Sequence, residues 1–183
     1  MITLVTGIPR SGTSLLMQLC AAAKAPILTD SLRKEDVNNP KGYFELEAVK
    51  GIVKNNAFLK EADGKTIKVV APLVTFIDLT LSYKVIFVLR DLDEVLSSQE
   101  KMLGKDQHGQ REKLKAIYET HITKSKRFLD ANHIPYLEVH HRDLVTQPEE
   151  SLGKLIDFCQ WDTTIDHLKQ VIDASLYRNK REP

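Results

Sequence analysis

An α/β fold, arranged as a three-layer sandwich with a central parallel sheet, is predicted by three observations on this chain. Short apolar, β-branched segments alternate with helical segments along its whole length. A glycine-rich segment joins the first of these strands directly to the first helix. No repeat, linker or low-complexity stretch divides the chain. Strands that are separated by helices pair in parallel and are covered on both faces, which predicts a single domain over residues 1–183.

Each predicted element has its own pattern. Continuous apolar runs indicate buried strands, at residues 2–6 (ITLVT), 66–71 (TIKVVA), 83–89 (YKVIFVL) and 135–140 (PYLEVH), with a further short strand at 25–30 (APILTD). Apolar or amphipathic patterns indicate helices, at residues 13–25, 44–60, 72–81, 91–103, 111–131, 148–159 and 163–177. Asp91 and the acids that follow it are typical of a helix N-terminus.

Bulk properties exclude several classes of protein. The 183 residues carry a net charge of +1, so no general basic surface indicates nucleic-acid binding. No apolar run reaches the length of a membrane span. The first strand begins at residue 2, which leaves no room for a signal peptide, and we expect a cytoplasmic protein. Cys20 and Cys159 lie in apolar contexts and are expected to be buried thiols.

The segment TGIPRSGTS, residues 6–14, has the pattern of a phosphate-binding loop. Gly7 and Gly12 would let the backbone approach an anion, and the following helix would direct its N–H groups at it. Arg10 would supply a positive charge. Three further side chains would offer hydroxyl donors: Ser11, Thr13 and Ser14. A loop for a nucleoside triphosphate would have lysine at residue 13. The alternative is a strand-to-helix turn that is glycine-rich without binding anything.

A second segment, KVIFVLRDLDEVLSS, places a basic residue at a strand end. Arg90 ends the buried strand, so it should lie at the same sheet edge as the loop, where ligands bind in parallel sheets. Ser98 follows eight residues later, about two helical turns away. The alternative is that Arg90 pairs with a nearby carboxylate, Asp91 or Asp93.

Together the two segments resemble the sulfotransferase family, whose donor is 3′-phosphoadenosine 5′-phosphosulfate (PAPS). The family loop P-[KR]-S-G-T-[TS] is similar to PRSGTS, which implies that the 5′ group is bound by Pro9, Arg10, Ser11, Gly12, Thr13 and Ser14. The family's strand-end Arg and later Ser match Arg90 and Ser98, which implies a 3′-phosphate site. Residues 141–159 resemble a structural stretch of the family, and residues 39–45 (NPKGYFE) resemble bacterial-type members. The resemblance implies a fold like that of P-loop nucleotide hydrolases.

The implied reaction is direct in-line transfer of a sulfuryl group to an acceptor hydroxyl or amine. Arg10 would stabilise the leaving phosphate, and Lys68 matches a family lysine; its alternative is a surface lysine at the sheet edge. The family histidine two residues after that lysine is replaced by Val70. Other family members use a carboxylate shortly after the second strand, so the resemblance implies a base among Asp30, Glu35 and Glu45, of which Glu45 and Asp30 are equal candidates. The alternative for Glu45 is that it caps the helix that follows.

No metal ion is expected, because the strand ends offer no acidic metal-binding pattern and a sulfuryl group carries less charge than a phosphoryl group. Two other functions stay open. One is an ATP-dependent kinase, against which Thr13 counts. The other is a non-catalytic nucleotide-binding relative, which the loss of the histidine favours. The sequence does not identify the acceptor. The basic tail at Arg178, Lys180 and Arg181 either replaces a family segment over the 3′-phosphate or is a frayed end.

Overall fold

Four parallel strands form the central sheet in the computed structural model, which describes residues 1–30, 32, 42–104 and 108–177. The strands are β1 (Ile2–Thr6), β2 (Thr66–Lys68), β3 (Tyr83–Leu89) and β4 (Tyr136–His140). Their order across the sheet is β2-β1-β3-β4. The predicted α/β class and parallel sheet are therefore confirmed.

The strand order creates a switch point at the carboxyl end of β1. The chain leaves β1 to form β2 on one side and then β3 on the other. Thr6 lies opposite Phe87, so β1 and β3 end close together. Ligands in open α/β sheets bind in the crevice outside such a switch point. The loop after β1 and the residue after β3 both lie there.

Helices cover both faces of the sheet. They are α1 (Thr13–Ala22), α2 (Leu92–Leu103), α3 (Arg111–Ala131), α4 (His141–Thr146), α5 (Pro148–Cys159) and α6 (Ile165–Lys169). Alternate residues of β3 point to opposite faces, since strand side chains have a period of two. Phe87 packs in the core that includes Leu129 of α3, whereas Ile86 packs in the core that includes Leu16 of α1 and Leu155 of α5.

Several segments differ from the sequence prediction. Residues 72–81 form only a 3₁₀ segment, Leu73–Phe76, instead of a helix, and the strand predicted at 66–71 ends at Lys68. Residues 44–60 form two 3₁₀ segments, Glu47–Gly51 and Ala57–Ala62, instead of one helix. The side chain of Asn55 accepts from the Ala57 N–H, the local bonding by which Asn favours turns. Residues 163–177 form only α6 and a 3₁₀ turn, Ala174–Leu176.

A further difference is the predicted strand at residues 25–30. It is reduced to one bridge between Ile27 and Thr66, at the edge of the sheet beside β2. Pro26 lacks an N–H and can only accept, through its carbonyl, from Thr66. The short helix α4 was not predicted.

The N-terminus of α2 is capped as the sequence predicts. The Asp91 carboxylate accepts from the N–H groups of Asp93 and Glu94, at 2.9 and 3.2 Å. This cap ends the loop after β3 and fixes where α2 begins. Within the described ranges, no helix has both the length and the apolar character that a membrane crossing requires.

Replacing Asp91 by Ala should lower the free energy of unfolding by about 1 kcal/mol, because two N–H groups of α2 lose their acceptor. Asp91→Asn is the matched control and should keep most of the stability, since Asn caps helices about as well. Urea denaturation of the three proteins measures the difference. Equal stability of Asp91→Ala and the native protein would contradict the capping role.

Candidate anion-binding site

The loop between β1 and α1 is closely packed around two glycines. Gly12 has a φ of 109°, and a Cβ there would lie 2.5 Å from Cδ2 of His141. A Cβ on Gly7 would lie 2.5 Å from Ser11 Oγ and 2.7 Å from the carbonyl oxygen of Val88. Both positions therefore require glycine. Because these two residues have no side chain, the loop backbone can pack directly against β3 and α4.

Arg10 connects this loop to the segment after β3. Its φ is 70°, an unusual left-handed conformation for a residue with a side chain. Its carbonyl oxygen accepts from Nη1 of Arg90 at 3.2 Å. Its own Nε donates to Ser98 Oγ at 3.0 Å, and its Nη1 lies 3.7 Å from Sδ of Met102. The three residues singled out in separate parts of the sequence are thus in direct contact.

Lys68 connects β2 to the same loop. Its side chain is 5% exposed, so the alternative of a surface lysine is wrong. Nζ lies 3.3 Å from Ser14 Oγ, 3.0 Å from the carbonyl oxygen of Tyr43 and 3.2 Å from Glu45 Oε1. The ammonium group therefore joins the first turn of α1 to a carboxylate from the predicted base segment.

Arg90 does pair with a carboxylate, but the partner is Glu94. Nε of Arg90 donates to Glu94 Oε2 at 2.9 Å, and both side chains are nearly buried. Asp91 caps α2, whereas Asp93 pairs with Lys115 on α3.

Tyr177, in the C-terminal segment, contacts both Arg90 and Glu94. Its hydroxyl donates to Glu94 Oε1 at 2.7 Å, and its ring centroid lies 5.4 Å from Cζ of Arg90. Burial and the Glu94 carboxylate together raise the pKa of Tyr177 to about 12, so its hydroxyl keeps its proton at neutral pH.

These groups surround one cavity of about 440 Å³, a size suited to a small organic ligand. The described residues that line it include five cationic side chains and two carboxylates: Arg10, Lys50, Lys68, Arg90, Lys101, Glu45 and Asp173. The whole chain has a net charge of only +1. Positive charge is therefore concentrated at this cavity, which favours an anionic ligand.

Most of the predicted site residues line this cavity: Pro9, Arg10, Gly12, Thr13, Ser14, Glu45, Lys68, Arg90 and Ser98. Ser11 and Asp30 are not among the lining residues. The Ser11 hydroxyl is fully buried against Gly7. The Asp30 carboxylate accepts from the N–H groups of Leu32 and Glu47, and these bonds hold the pKa of Asp30 below its usual range.

Some predictions fall on parts of the chain that the structure does not describe. Glu35, the first part of the segment at residues 39–45 and the basic residues of the tail lie outside the described residues. In the described part of the chain, no three or more His, Cys, Asp or Glu side chains are grouped so that they could hold a metal ion.

His141 also lines the cavity, whereas a pair of histidines directly after a strand is more often exposed to solvent. It follows His140, which is exposed, yet its own ring is buried against Gly12 and edge-on to Tyr177. Its Nδ1 has no hydrogen-bond partner among the described residues. Burial, and then the charge of Arg90, lowers the pKa of His141 to about 4. The ring is therefore neutral at neutral pH, which avoids a second positive charge beside Arg90.

The fold was compared with known proteins. A sulfotransferase domain from the Synechococcus PCC 7002 olefin synthase matches 100% of this chain and 80% of its own, with a TM-score of 0.53 and 18% identity. A sulfotransferase domain from the curacin biosynthetic pathway matches 94% of this chain and 77% of its own, with a TM-score of 0.54 and 15% identity. No protein-family model and no curated protein sequence matches the chain. The resemblance to sulfotransferases is thus confirmed for the fold. At such low sequence identities, a structural match establishes the fold alone.

The low pKa of His141 predicts an acid-dependent loss of stability. The folded-state pKa of about 4 lies below the ordinary 6.5, so protonation favours the unfolded chain. The free energy of unfolding should fall by about 3 kcal/mol as the pH is lowered from about 6.5 to about 4. Urea denaturation across this range measures it.

The control for this experiment is His141→Gln, which removes the titrating group and keeps a polar side chain of similar length. Carboxylates titrate in both proteins, so the difference between the two pH profiles isolates His141. Parallel profiles would contradict the buried, neutral state of the ring.

Proposed function

We propose that this protein is a PAPS-dependent sulfotransferase, which moves the sulfuryl group of the donor to an acceptor hydroxyl or amine. One observation supports this most directly: the loop after β1 and Arg90 with Ser98 after β3 line a single cationic cavity at the switch point of the sheet. A donor with charged groups at both its 5′ and its 3′ positions needs two such anion-binding sites. The similarity in fold to sulfotransferase domains supports the same proposal.

The loop is proposed to bind the 5′-phosphosulfate. Successive N–H groups before α1, and the positive end of its dipole, favour an anion there. Thr13 and Ser14 line the cavity and can add hydroxyl donors. Arg90 and Ser98 are proposed to bind the 3′-phosphate, for which a guanidinium fork is well suited.

Transfer then requires that the S–O bond to the donor phosphate is exchanged for a new S–O or S–N bond to the acceptor. The acceptor oxygen or nitrogen attacks sulfur and gives its proton to a base, while the bond from sulfur to the donor phosphate breaks and releases adenosine 3′,5′-bisphosphate. Arg10 and Lys68 are proposed to stabilise the charge that develops on this leaving phosphate, with no metal ion in the proposed reaction.

Glu45 is the proposed base. It lines the cavity, and its carboxylate is 3.2 Å from Lys68 Nζ, which in turn contacts the first turn of α1. Asp30 was equally favoured by the sequence. Its carboxylate is engaged by two backbone N–H groups and it is not among the lining residues, so we propose Glu45.

The first test concerns the donor. Each charge-assisted hydrogen bond contributes roughly 1.5–3 kcal/mol, so two of them should favour adenosine 3′,5′-bisphosphate over AMP by about 100-fold. Arg90→Ala should remove most of this preference, and Ser98→Ala should remove part of it. Calorimetric titration gives each affinity. The ratio of the two affinities is the relevant quantity. Arg90 also donates to the Arg10 carbonyl oxygen, so its loss should weaken the binding of both nucleotides.

Lys113→Ala, on the exposed face of α3, is the matched control for loss of one positive charge. The native protein is also titrated with ATP and Mg²⁺. Equal affinity for the bisphosphate and AMP would contradict the 3′-phosphate site. Much tighter binding of ATP with Mg²⁺ would favour the kinase alternative.

The second test concerns the base. Glu45→Gln should lower kcat by a factor of roughly 10² to 10⁴, the usual contribution of a general base, while the affinity for the bisphosphate is retained. Gln can still accept a hydrogen bond from Lys68, so the local contact survives. The measurement is transfer of labelled sulfate from PAPS to a broad panel of hydroxyl and amine acceptors.

Asp30→Asn is the matched control and should keep its turnover. Loss of turnover in Asp30→Asn with normal turnover in Glu45→Gln would assign the base to Asp30. A native protein that binds the bisphosphate selectively but transfers sulfate to no acceptor would favour the non-catalytic alternative.

A further inference from the structure

A buried carboxylate lies directly behind the guanidinium group of Arg90, and the proposed reaction does not use it. Glu94 is 5% exposed. One of its carboxylate oxygens accepts from Arg90 Nε at 2.9 Å and the other from the Tyr177 hydroxyl at 2.7 Å. A carboxylate at this depth is tolerated only with such partners, so the three side chains form one buried unit.

We propose that Glu94 and Tyr177 are positioning residues for Arg90, which fix the orientation of its guanidinium group so that it recognises the 3′-phosphate of the donor. This inference rests on the proposed function, because that function assigns the 3′-phosphate to Arg90. Glu94 does not line the cavity, whereas Arg90 and Tyr177 do. Glu94 would therefore act on the ligand only through Arg90.

Tyr177 restrains Arg90 in two ways. Its hydroxyl holds the far side of the Glu94 carboxylate, and its ring lies against the guanidinium group. The ring is in turn held by the edge-on contact with His141 at 5.1 Å. Because Tyr177 and Glu94 are 83 residues apart in sequence, Arg90 is clamped between α2 and the C-terminal segment. A guanidinium group that is already fixed loses less rotational freedom when the ligand binds.

An opposite effect of Glu94 is physically reasonable and must be separated from positioning. A carboxylate beside Arg90 reduces the positive potential that an approaching anion meets, and by itself this weakens anion binding. Tyr177→Phe separates the two effects. It removes the hydroxyl that restrains Glu94, keeps the ring, and changes no charge at neutral pH.

The experiment measures the preference for adenosine 3′,5′-bisphosphate over AMP in the native protein and three variants. Tyr177→Phe should reduce the preference about tenfold. Loss of a residue that only orients a ligand-binding side chain has an effect of this size at metal sites, where it has been compared. Glu94→Gln should also reduce it, because a neutral amide holds the Arg90 guanidinium group less strongly than a charged carboxylate does. A larger preference in Glu94→Gln would mean that charge attenuation dominates, and would overturn the inference.

Tyr118→Phe is the matched control. The Tyr118 hydroxyl also donates to a side chain of α2, Gln99, and it is partly buried, but Tyr118 does not line the cavity. Tyr118→Phe therefore removes a comparable hydrogen bond from a tyrosine hydroxyl and should leave the preference for the bisphosphate unchanged. If Tyr177→Phe has the same preference as Tyr118→Phe, the hydroxyl does not position Arg90 and the inference is overturned.

A second readout does not depend on any nucleotide. Solvent exchange of the Arg90 Nε proton, followed by NMR in the ligand-free protein, should be slow in the native protein and in Tyr118→Phe, and faster in Tyr177→Phe. Unchanged exchange in Tyr177→Phe would overturn the inference. If the native protein shows no preference for the bisphosphate, the proposed function fails, and the exchange rates alone then decide whether Glu94 and Tyr177 position Arg90.

Discussion

The hydrogen bond from Arg90 Nη1 to the carbonyl oxygen of Arg10 is the contact on which the cavity depends. It joins the loop after β1 to the residue after β3, across the switch point of the sheet. Arg10 has a left-handed backbone conformation, which costs about 1–2 kcal/mol for a residue with a side chain. A hydrogen bond to a charged donor contributes roughly 1.5–3 kcal/mol, enough to offset that cost. The loop conformation and the position of Arg90 are therefore coupled.

This coupling is supported by a balance of buried charges. Arg90 is paired with Glu94, and Lys68 is paired with Glu45, so each of these two buried cations has a carboxylate within 3.2 Å. Removing one partner of a buried ion pair lowers the stability by more than the intact pair contributes, because it leaves an unpaired charge in the interior. The neutral state of His141 belongs to the same balance, because a charged imidazole beside Arg90 would add repulsion in a desolvated region.

The sequence was sufficient to predict the parts of the fold that local patterns determine. The strands β1 and β3 and the helices α3 and α5 have the predicted bounds, since each has a clear period and clear ends. The predicted helix at residues 44–60 was wrong because its apolar pattern concealed turn-forming residues, Gly51 and the pair Asn55 and Asn56. The position of that segment is determined by tertiary contacts, among them the bonds of Lys68 to Tyr43 and Glu45.

The sequence predicted only those site residues that come shortly after the end of a strand. Arg10 and Arg90 follow β1 and β3, and parallel pairing brings such positions together. The spacing of Arg90 and Glu94 could have suggested their ion pair, since it places them four residues apart. Tyr177 had no such signal, because its place depends on how the C-terminal segment packs. His141 directly follows β4 and therefore lies at the same sheet edge, but its burial depends on how α4 packs. A histidine after another histidine is not distinguishable as buried until its contact with Gly12 is known.

Val70 shows how the site could work without the histidine that the family resemblance leads one to expect. Val70 lines the cavity two residues after Lys68, so this part of the wall is apolar. The Glu45 carboxylate lines the same cavity, and Lys68 holds it through the same ammonium group that contacts Ser14. Under the proposed function, the lysine at the end of β2 would place the base as well as stabilise the leaving group. In the proposed reaction, a base held in this way would require no titratable residue at position 70, so an apolar side chain there is consistent with the proposal.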